Sequence, residues 1–130
     1  RACDEKGEAP VCTALAIKWE TGQEGPKDEA KAREYYEKGC TGGHQLGCYN
    51  LAVLLEQGIG DAADAPKALD LYVNVCEGEL PDKGCLNAAI MLDAGAAVPA
   101  DKAKARGLYQ KLCDVGGQTG CVQVGRMAML

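Results

Sequence analysis

Apolar positions recur along this chain with a helical period. A short segment with apolar residues at positions i, i+1 and i+4 occurs four times, and its three complete copies end in glycine. Residues at this spacing share one face of an α-helix, and glycine readily takes the left-handed conformation that ends a helix. The predicted core face consists of Leu15, Leu51, Ala88 and Val124, then Ala16, Ala52, Ala89 and Gly125, then Trp19, Leu55, Leu92 and Ala128.

A second helical segment follows each complete copy. It opens with an aspartate, which is a good N-cap, and then alanine, tyrosine and cysteine recur every four residues, which places them in one stripe. The five prolines lie between these helices or in a first turn, where proline is tolerated. The matched residues are Asp28, Asp64 and Asp101, then Ala32, Ala68 and Ala105, then Tyr36, Tyr72 and Tyr109, and then Cys40, Cys76 and Cys113.

The helix pairs repeat at a constant interval. The cysteines Cys12, Cys48, Cys85 and Cys121 are separated by 36, 37 and 36 residues, and the series that begins at Cys3 steps by 37, 36 and 37. A period in this range indicates stacked supersecondary units that bury their apolar faces against each other. The sequence predicts a single array over residues 1–130, with helix pairs at 12–40, 48–76 and 85–113 and partial helices at 1–3 and 121–130.

Composition and charge narrow the possible partners. The chain is 47% hydrophobic and carries a net charge of -5, with a pI near 4.9, which disfavours nucleic acid and anionic membranes. No apolar run approaches the roughly 18 to 20 residues that cross a bilayer. We therefore expect no membrane insertion.

The eight cysteines favour disulfide bonds. An even number at regular spacings in a short chain is typical of a disulfide framework, which persists in oxidising compartments, so we expect a periplasmic, cell-surface or secreted protein. Structural zinc sites prefer Cys-x2-Cys-like pairs, whereas these pairs are separated by seven or eight residues. A secretory signal is absent, and the start at Arg1, two residues before Cys3, favours a truncated chain over a processed one.

Three segments resemble a known repeat family. They are Gly-Cys-Tyr-Asn-Leu-Ala-Val-Leu-Leu-Glu-Gln-Gly at residues 47–58, Asp-Ala-Pro-Lys-Ala at 64–68 and Tyr-Val-Asn-Val-Cys at 72–76. Together they resemble a Sel-one-like repeat, a relative of the tetratricopeptide repeat. Cys-Asp-Val-Gly-Gly-Gln-Thr-Gly-Cys at 113–121 is similar to the disulfide-bearing branch known from the Helicobacter cysteine-rich protein family. The resemblance implies an all-α fold, an α/α solenoid of antiparallel helix pairs in a right-handed superhelix.

The repeats depart from the family pattern at one position. The family's Leu-Gly pair reads Leu-Ala in the first two copies and Ala-Ala at residues 88–89, and only the last copy keeps glycine, as Val-Gly. Because alanine is larger than glycine, we expect slightly wider helix packing at these positions.

The same resemblance implies a disulfide pairing that the cysteine count leaves open. Each bond would join the end of one repeat's second helix to the start of the next repeat's first helix. The implied pairs are Cys3 with Cys12, Cys40 with Cys48, Cys76 with Cys85 and Cys113 with Cys121. Bonds at the junctions would fix the angle between repeats, so we expect a preformed concave surface.

The chain contains few residues that could act in catalysis. The chain has no serine and one histidine, His44, which would lie exposed in the loop between Cys40 and Cys48. A Ser-x-x-Lys nucleophile is therefore impossible, which counts against the penicillin-binding or β-lactamase activity attributed to cysteine-rich relatives; this hydrolase function remains the alternative hypothesis. We expect no enzyme, no catalytic residue, no metal and no cofactor. Redox exchange and haem or metal handling are weaker alternatives.

The predicted function is binding on the concave face. By resemblance, the first helices expose two mostly apolar rows and one acidic row along that face. The candidate partner-binding residues are Tyr49, Asn50, Val53, Glu56, Leu86, Asn87, Ile90, Asp93 and Arg126, and the corresponding first-copy positions are Thr13, Ile17 and Glu20. The competing interpretation is that Val53 and Ile90 are partly core and the carboxylates merely solvated.

The two asparagines have two possible roles. Asn50 and Asn87 could hydrogen-bond a ligand backbone or the neighbouring repeat, and we favour the neighbouring repeat. The chain is thus predicted to be a secreted or periplasmic scaffold or adaptor for a peptide or protein segment with basic and apolar residues. The end formed by Met127, Met129 and Leu130 is predicted to allow end-to-end self-association.

Overall fold

A computed structural model describes Cys3, residues 8–23 and residues 25–129 of the chain. Within these ranges the protein forms seven α-helices and no strand. The helices are α1 Ala9–Thr21, α2 Glu29–Thr41, α3 Gln45–Gln57, α4 Ala65–Glu77, α5 Pro81–Ala94, α6 Lys102–Asp114 and α7 Gln118–Ala128. None of the described helices is both long and apolar enough to span a bilayer. The all-α class predicted from the repeat pattern is confirmed.

The chain divides into two compact units, residues 1–68 and 69–130, and the boundary falls within α4. A single array over all 130 residues therefore stays a prediction. The first helix of each pair begins three or four residues before the predicted cysteine. A proline lies in the first turn of α1 and of α5, and a glycine precedes the cysteine inside α3, α5 and α7. Of the predicted partial helix at residues 1–3, only Cys3 lies among the described residues.

The ends of the helices follow from the predicted capping residues. The glycines that close α1, α3 and α5 are left-handed, with φ of 72°, 69° and 65° at Gly22, Gly58 and Gly95. The aspartates that open α2, α4 and α6 each accept a hydrogen bond from the backbone N–H three residues later, at 3.0 to 3.1 Å. An Asp N-cap satisfies one of the N–H groups that a helix start leaves unpaired.

The same aspartates also hold the loops. The backbone N–H of Asp28 donates to the carbonyl oxygen of Trp19, and Asp64 and Asp101 donate in the same way to Leu55 and Leu92, over 2.8 to 3.0 Å. The acceptors are the predicted core positions near the end of each first helix. Each loop is therefore bonded at a fixed place to the helix that precedes it.

The core consists of the predicted faces, with differences at the ends of the chain. The stripe alanines and tyrosines of the second helices are at most 3% exposed, and Ala52 and Leu55 of α3 are 0% and 4% exposed. Three predicted core residues, Leu15, Trp19 and Val124, are only half-buried. The prediction was wrong for Gly125 and Ala128 of α7, which are exposed. In α7 only Gly120 is buried, and it lies against the backbone of α6 at Tyr109 and Cys113.

The four implied disulfides are confirmed. They join Cys3 to Cys12, Cys40 to Cys48, Cys76 to Cys85 and Cys113 to Cys121, with Cα–Cα distances of 4.4 to 4.9 Å. A glycine precedes the second cysteine of the last three pairs and lies against the preceding helix. A Cβ on Gly84 would come within 2.4 Å of the Cys76 nitrogen and 2.5 Å of the Tyr72 carbonyl oxygen. The helices approach so closely at these junctions that no side chain fits.

Reduction of the disulfides is expected to lower stability strongly. Closing a loop of about nine residues stabilises a fold by about 2.5 kcal/mol in the chain-entropy model, so four bonds together approach the total stability of a small domain, about 5 to 15 kcal/mol. Circular dichroism melting of the oxidised chain and of the reduced and alkylated chain measures the difference. Melting temperatures that agree within a few degrees would contradict a stapling role.

Replacement of Gly84 by alanine is expected to destabilise unit 69–130 by about 1 to 3 kcal/mol, because the added methyl group would meet the backbone of α4. Gly107 provides a matched control in α6, since a Cβ there has nothing within 4 Å. Gly107→Ala is expected to stabilise the helix by up to about 1 kcal/mol. Urea denaturation of both variants measures the effects, and equal values would contradict the close approach at Gly84.

Candidate functional site

In unit 1–68, α3 presents one face to solvent beside its core face. Tyr49 and Val53 are half-buried, and Glu56 is exposed one turn further along. Leu51 and Leu55 of the same helix are 2% and 4% exposed. The face therefore has partly accessible apolar side chains next to a carboxylate, and the hydroxyl of Tyr49 adds a polar group.

In unit 69–130, the corresponding face extends over α5 and α7. Ile90 of α5 is 48% exposed and Val122 of α7 is 65% exposed, while Leu86 is half-buried. An ion pair between Asp93 and Arg126 joins the two helices one turn beyond Ile90 and Val122. The exposed apolar residues and the ion pair together form what we call the α5–α7 face, defined by Leu86, Ile90, Asp93, Val122 and Arg126.

Two cations bind the carboxylate of Asp93. Lys102 Nζ lies 2.8 Å from Oδ1 and also donates to the Asp93 carbonyl oxygen, while a terminal nitrogen of Arg126 lies 2.6 Å from Oδ2. The Nε of Arg126 donates to the side-chain oxygen of Gln123. The hydrogen bond from Lys102 holds the pKa of Asp93 below its usual value, and the positive charges of Lys102 and Arg126 add to this effect.

These contacts change the charge of the predicted acidic row at Asp93. Asp93 carries its charge between two cations, so the three side chains together are positive by one charge. A basic partner segment would have to compete with Lys102 and Arg126 for this carboxylate. Neither cation was assigned to Asp93 from the sequence, because Lys102 lies beyond an irregular loop and Arg126 lies in another repeat.

A carboxylate of the same row is part of the core packing in the first repeat. The hydroxyl of Tyr36 donates to Glu20 over 2.5 Å, and the side chain of Asn50 also hydrogen-bonds to Tyr36. Burial raises the pKa of Tyr36 far above its usual value, and the bond to Glu20 raises it further. Asn50 thus contacts the preceding repeat, which is the role that the sequence favoured. For Asn87 the role stays a prediction.

The third repeat shows a related contact. Burial raises the pKa of Tyr109, and the nearby negative charge of Asp93 raises it further. In two repeats, therefore, the carboxylate near the end of the first helix lies close to the stripe tyrosine of the second helix. Of these carboxylates, Glu20 accepts a hydrogen bond from its tyrosine, while Asp93 acts on Tyr109 through its charge.

Two sequence predictions near the first junction were wrong. Thr13 was expected on the exposed face but is 1% exposed, and His44 was expected to be a solvated loop residue but is half-buried. His44 Nδ1 lies 2.8 Å from the Thr13 hydroxyl oxygen. This hydrogen bond connects α1 to His44, the residue that precedes α3. Gly39 and Gly47 leave room for the hydroxyl, because a Cβ on either would approach it closely.

Other kinds of site are not supported by the described residues. All eight cysteines are in disulfides. In the part of the chain that the structure describes, no three His, Cys, Asp or Glu side chains form a group that could hold a metal ion. Accessible apolar side chains next to charged groups lie on α3 and on α5 with α7.

Part of this chain is similar to the same protein from two mammals. Cytochrome c oxidase assembly factor 7 of Homo sapiens is 33% identical over 75 residues, which cover 54% of this chain and 31% of the human protein. The same factor from Mus musculus is 34% identical over 62 residues, or 44% of this chain and 27% of the mouse protein. The chain thus spans less than a third of the length of these relatives.

Solved structures share the fold. A protective antigen of uropathogenic Escherichia coli with an SLR fold matches 95% of this chain and 26% of its own, with a TM-score of 0.84 and 24% identity. A Sel1 repeat protein from Oxalobacter formigenes matches 94% of this chain and 49% of its own, with a TM-score of 0.78 and 20% identity.

A structure with the same cysteine-rich character is also similar. Helicobacter pylori cysteine rich protein B matches 87% of this chain and 86% of its own, with a TM-score of 0.67 and 23% identity. The Sel1 repeat model matches residues 9–44, 45–73 and 82–117, which is most of the chain. The repeat pattern, the disulfide-stapled helix pairs and this match together show that the chain belongs to the Sel1 repeat family.

Proposed function

We propose that this chain is an extracytoplasmic interaction scaffold that binds peptide or protein segments on the exposed faces of its first helices. The observation that carries the proposal is the α5–α7 face, where Ile90 and Val122 expose apolar surface beside a fixed ion pair. Large apolar side chains on a rigid support lower the entropic cost of binding a partner. Sel1 repeats in general mediate protein interactions, and the name of the assembly-factor relatives fits a role in contacting other proteins.

The compartment is part of the same proposal. Four disulfides with no free cysteine are typical of a protein that folds in an oxidising environment. Helicobacter pylori cysteine rich protein B shares the fold and is also rich in cysteine. A small chain has limited core area, and disulfides add stability that the core alone does not supply.

The hydrolase alternative has little support. The chain contains no serine, and its one histidine, His44, shares a hydrogen bond with Thr13 at a helix junction. Every cysteine sulfur is bonded to another, so none is available as a nucleophile. We therefore do not assign a reaction to the chain.

The partner chemistry differs between the two faces. On α3 the exposed carboxylate is Glu56, next to the half-buried Val53. On the α5–α7 face the carboxylate of Asp93 is only 18% exposed, so it is less accessible to a partner than Glu56. We therefore assign the predicted basic and apolar partner segment to the α3 face, and an apolar contact to Ile90 and Val122.

Site-specific crosslinking tests the proposed faces. A photoreactive amino acid at Ile90 or Val53 is expected to capture a partner from the native compartment, whereas the same group at Gln110 or Ala30, which are exposed on second helices, is not. Excess wild-type chain should suppress capture. An Ile90→Lys competitor should fail to suppress capture at Ile90, and Val53→Lys should fail at Val53. Equal capture at the control positions would contradict the assignment.

Charge at Glu56 is expected to matter for a captured partner of the α3 face. Glu56→Lys should weaken binding about threefold to tenfold, because it places like charge against a basic segment. Asp93→Lys is unsuitable for this test since it breaks the contacts with Lys102 and Arg126. Affinity measured by calorimetry, with the melting temperature as a control of folding, gives the result. An unchanged affinity would rule out a basic partner segment at Glu56.

A further inference from the structure

The disulfide junctions differ in how well they are buried. Two of the bonds, Cys40–Cys48 and Cys76–Cys85, have a complete helix pair before and after them, so they can be compared directly. Cys76 and Cys85 are 2% and 0% exposed, and Cys48 is 4% exposed. Cys40 alone of these four residues is half-buried. Only the first of the two junctions therefore exposes part of a cysteine residue to solvent.

The connection at this junction is short and has few side chains. Cys40 and Cys48 are 8 residues apart, whereas Cys76 and Cys85 are 9 residues apart. The backbone N–H of Gly43 donates to the Cys40 carbonyl oxygen over 2.9 Å, which forms a tight turn directly after the cysteine. Residues 42 and 43 are both glycine. The tip of the turn therefore has no side chain that could cover the disulfide.

Charge also distinguishes the two connections. Residues 41–47 contain no Asp, Glu, Lys or Arg, so their net charge is zero with the histidine neutral. Residues 77–84 contain three carboxylates and one lysine, a net charge of -2. A disulfide is opened by an anionic thiolate, which nearby negative charge repels. An attacking thiolate therefore meets less repulsion at the Cys40–Cys48 bond.

Cys48 is placed to act as the leaving group. It is the fourth residue of α3, which begins at Gln45. The N-terminus of a helix stabilises negative charge within its first turn, including the charge of a cysteine thiolate. The Sγ of Cys48 also lies 3.6 Å from the Cys40 carbonyl oxygen, so a released thiol has a hydrogen-bond acceptor beside it once it is protonated. Attack on Cys40 thus releases the other sulfur at a favourable place.

We propose that Cys40–Cys48 is a site of thiol–disulfide exchange with a protein that carries a Cys-x-x-Cys dithiol. One thiolate of the dithiol attacks the Sγ of Cys40, the Cys40–Cys48 bond breaks as the mixed disulfide forms, and Cys48 leaves as a thiolate. The second thiol of the partner loses its proton and attacks the partner's own sulfur in the mixed disulfide, which releases Cys40. Two electrons pass from the dithiol, which is oxidised, to this disulfide. The exchange does not rest on the proposed binding function.

Other contacts hold the junction together when the bond is open. The N–H of His44 donates to the carbonyl oxygen of Gly39 over 2.9 Å, and the His44 side chain hydrogen-bonds to Thr13 of α1. Neither contact requires the sulfur–sulfur bond. We therefore expect the helices on both sides to persist when this bond alone is reduced, so that the exchange is reversible.

Timed reduction of the intact oxidised chain tests the order of reaction. Dithiothreitol is added without denaturant, the reaction is stopped by alkylation, and mass spectrometry of proteolytic fragments follows each disulfide separately. Cys40 and Cys48 should be alkylated about tenfold faster than Cys76 and Cys85, because a buried disulfide reacts only through local opening. Equal rates, or faster reaction of Cys76 and Cys85, would overturn the proposal.

Matched variants at the exposed Thr41 test the role of charge. Thr41→Glu places a carboxylate next to Cys40, and Thr41→Gln adds a side chain of the same size without the charge. Reduction of the Cys40–Cys48 bond should be about threefold slower in Thr41→Glu than in Thr41→Gln at low salt, and the difference should shrink as salt rises. Equal rates in the two variants would contradict the electrostatic preference on which the choice of this junction depends.

A double variant tests reversibility. Cys40→Ala with Cys48→Ala removes only this bond and should keep the helical circular dichroism signal of the wild type at room temperature, with a lower melting temperature. Loss of the helical signal would overturn a reversible exchange site.

A trapping experiment tests the partner class and the attacked sulfur. The probe is a thioredoxin whose second active-site cysteine is replaced by serine, so that the mixed disulfide cannot be resolved by the probe. Alkylation of the released thiol preserves the complex for fragment mapping. The probe should be bonded to Cys40. A bond mainly to Cys48, Cys76 or Cys85, or no complex with a chain that dithiothreitol does reduce, would overturn the proposal.

Discussion

The close approach of helices at each disulfide junction is the constraint on which the rest of the structure depends. A second helix ends at a cysteine, the next helix runs past it with glycine before its own cysteine, and the disulfide closes the contact. Because Gly84 has no room for a Cβ against the Cys76 nitrogen, the two backbones meet without an intervening side chain. The disulfide and the backbone contact both hold the two helices at a short separation. Their combination leaves little freedom in how adjacent helices pack at the junction.

Fixed junctions allow the rest of each repeat to be built from small core residues. Ala32, Ala68 and Ala105 are fully buried, and a core with no phenylalanine relies on such residues and on the stripe tyrosines for close packing. Burial of a tyrosine requires a partner for its hydroxyl. Glu20 and Asn50 supply that partner for Tyr36. Part of what the sequence presents as a binding surface is therefore used in packing.

Features set by one or two neighbouring residues could be predicted from the sequence. The Asp28 cap and the left-handed Gly22 depend on local backbone geometry, and the alanine and tyrosine stripe depends on helical period, so both follow from spacing. Contacts between repeats could not be predicted in the same way. The hydrogen bond of His44 with Thr13 joins residues 31 apart in the chain, and its existence depends on the space left by Gly39 and Gly47. No single-sequence pattern specifies which side chain fills such a space.

The differences between repeats at matched positions are the most informative about function. Thr13 and Tyr49 occupy the same place in the repeat, yet Thr13 is 1% exposed and Tyr49 is half-buried. Positions that the fold requires are alike in every repeat, since each repeat must cap, pack and cross-link in the same way. The remaining positions are free to differ between repeats, and in unit 69–130 they include the exposed Ile90 of α5 and Val122 of α7.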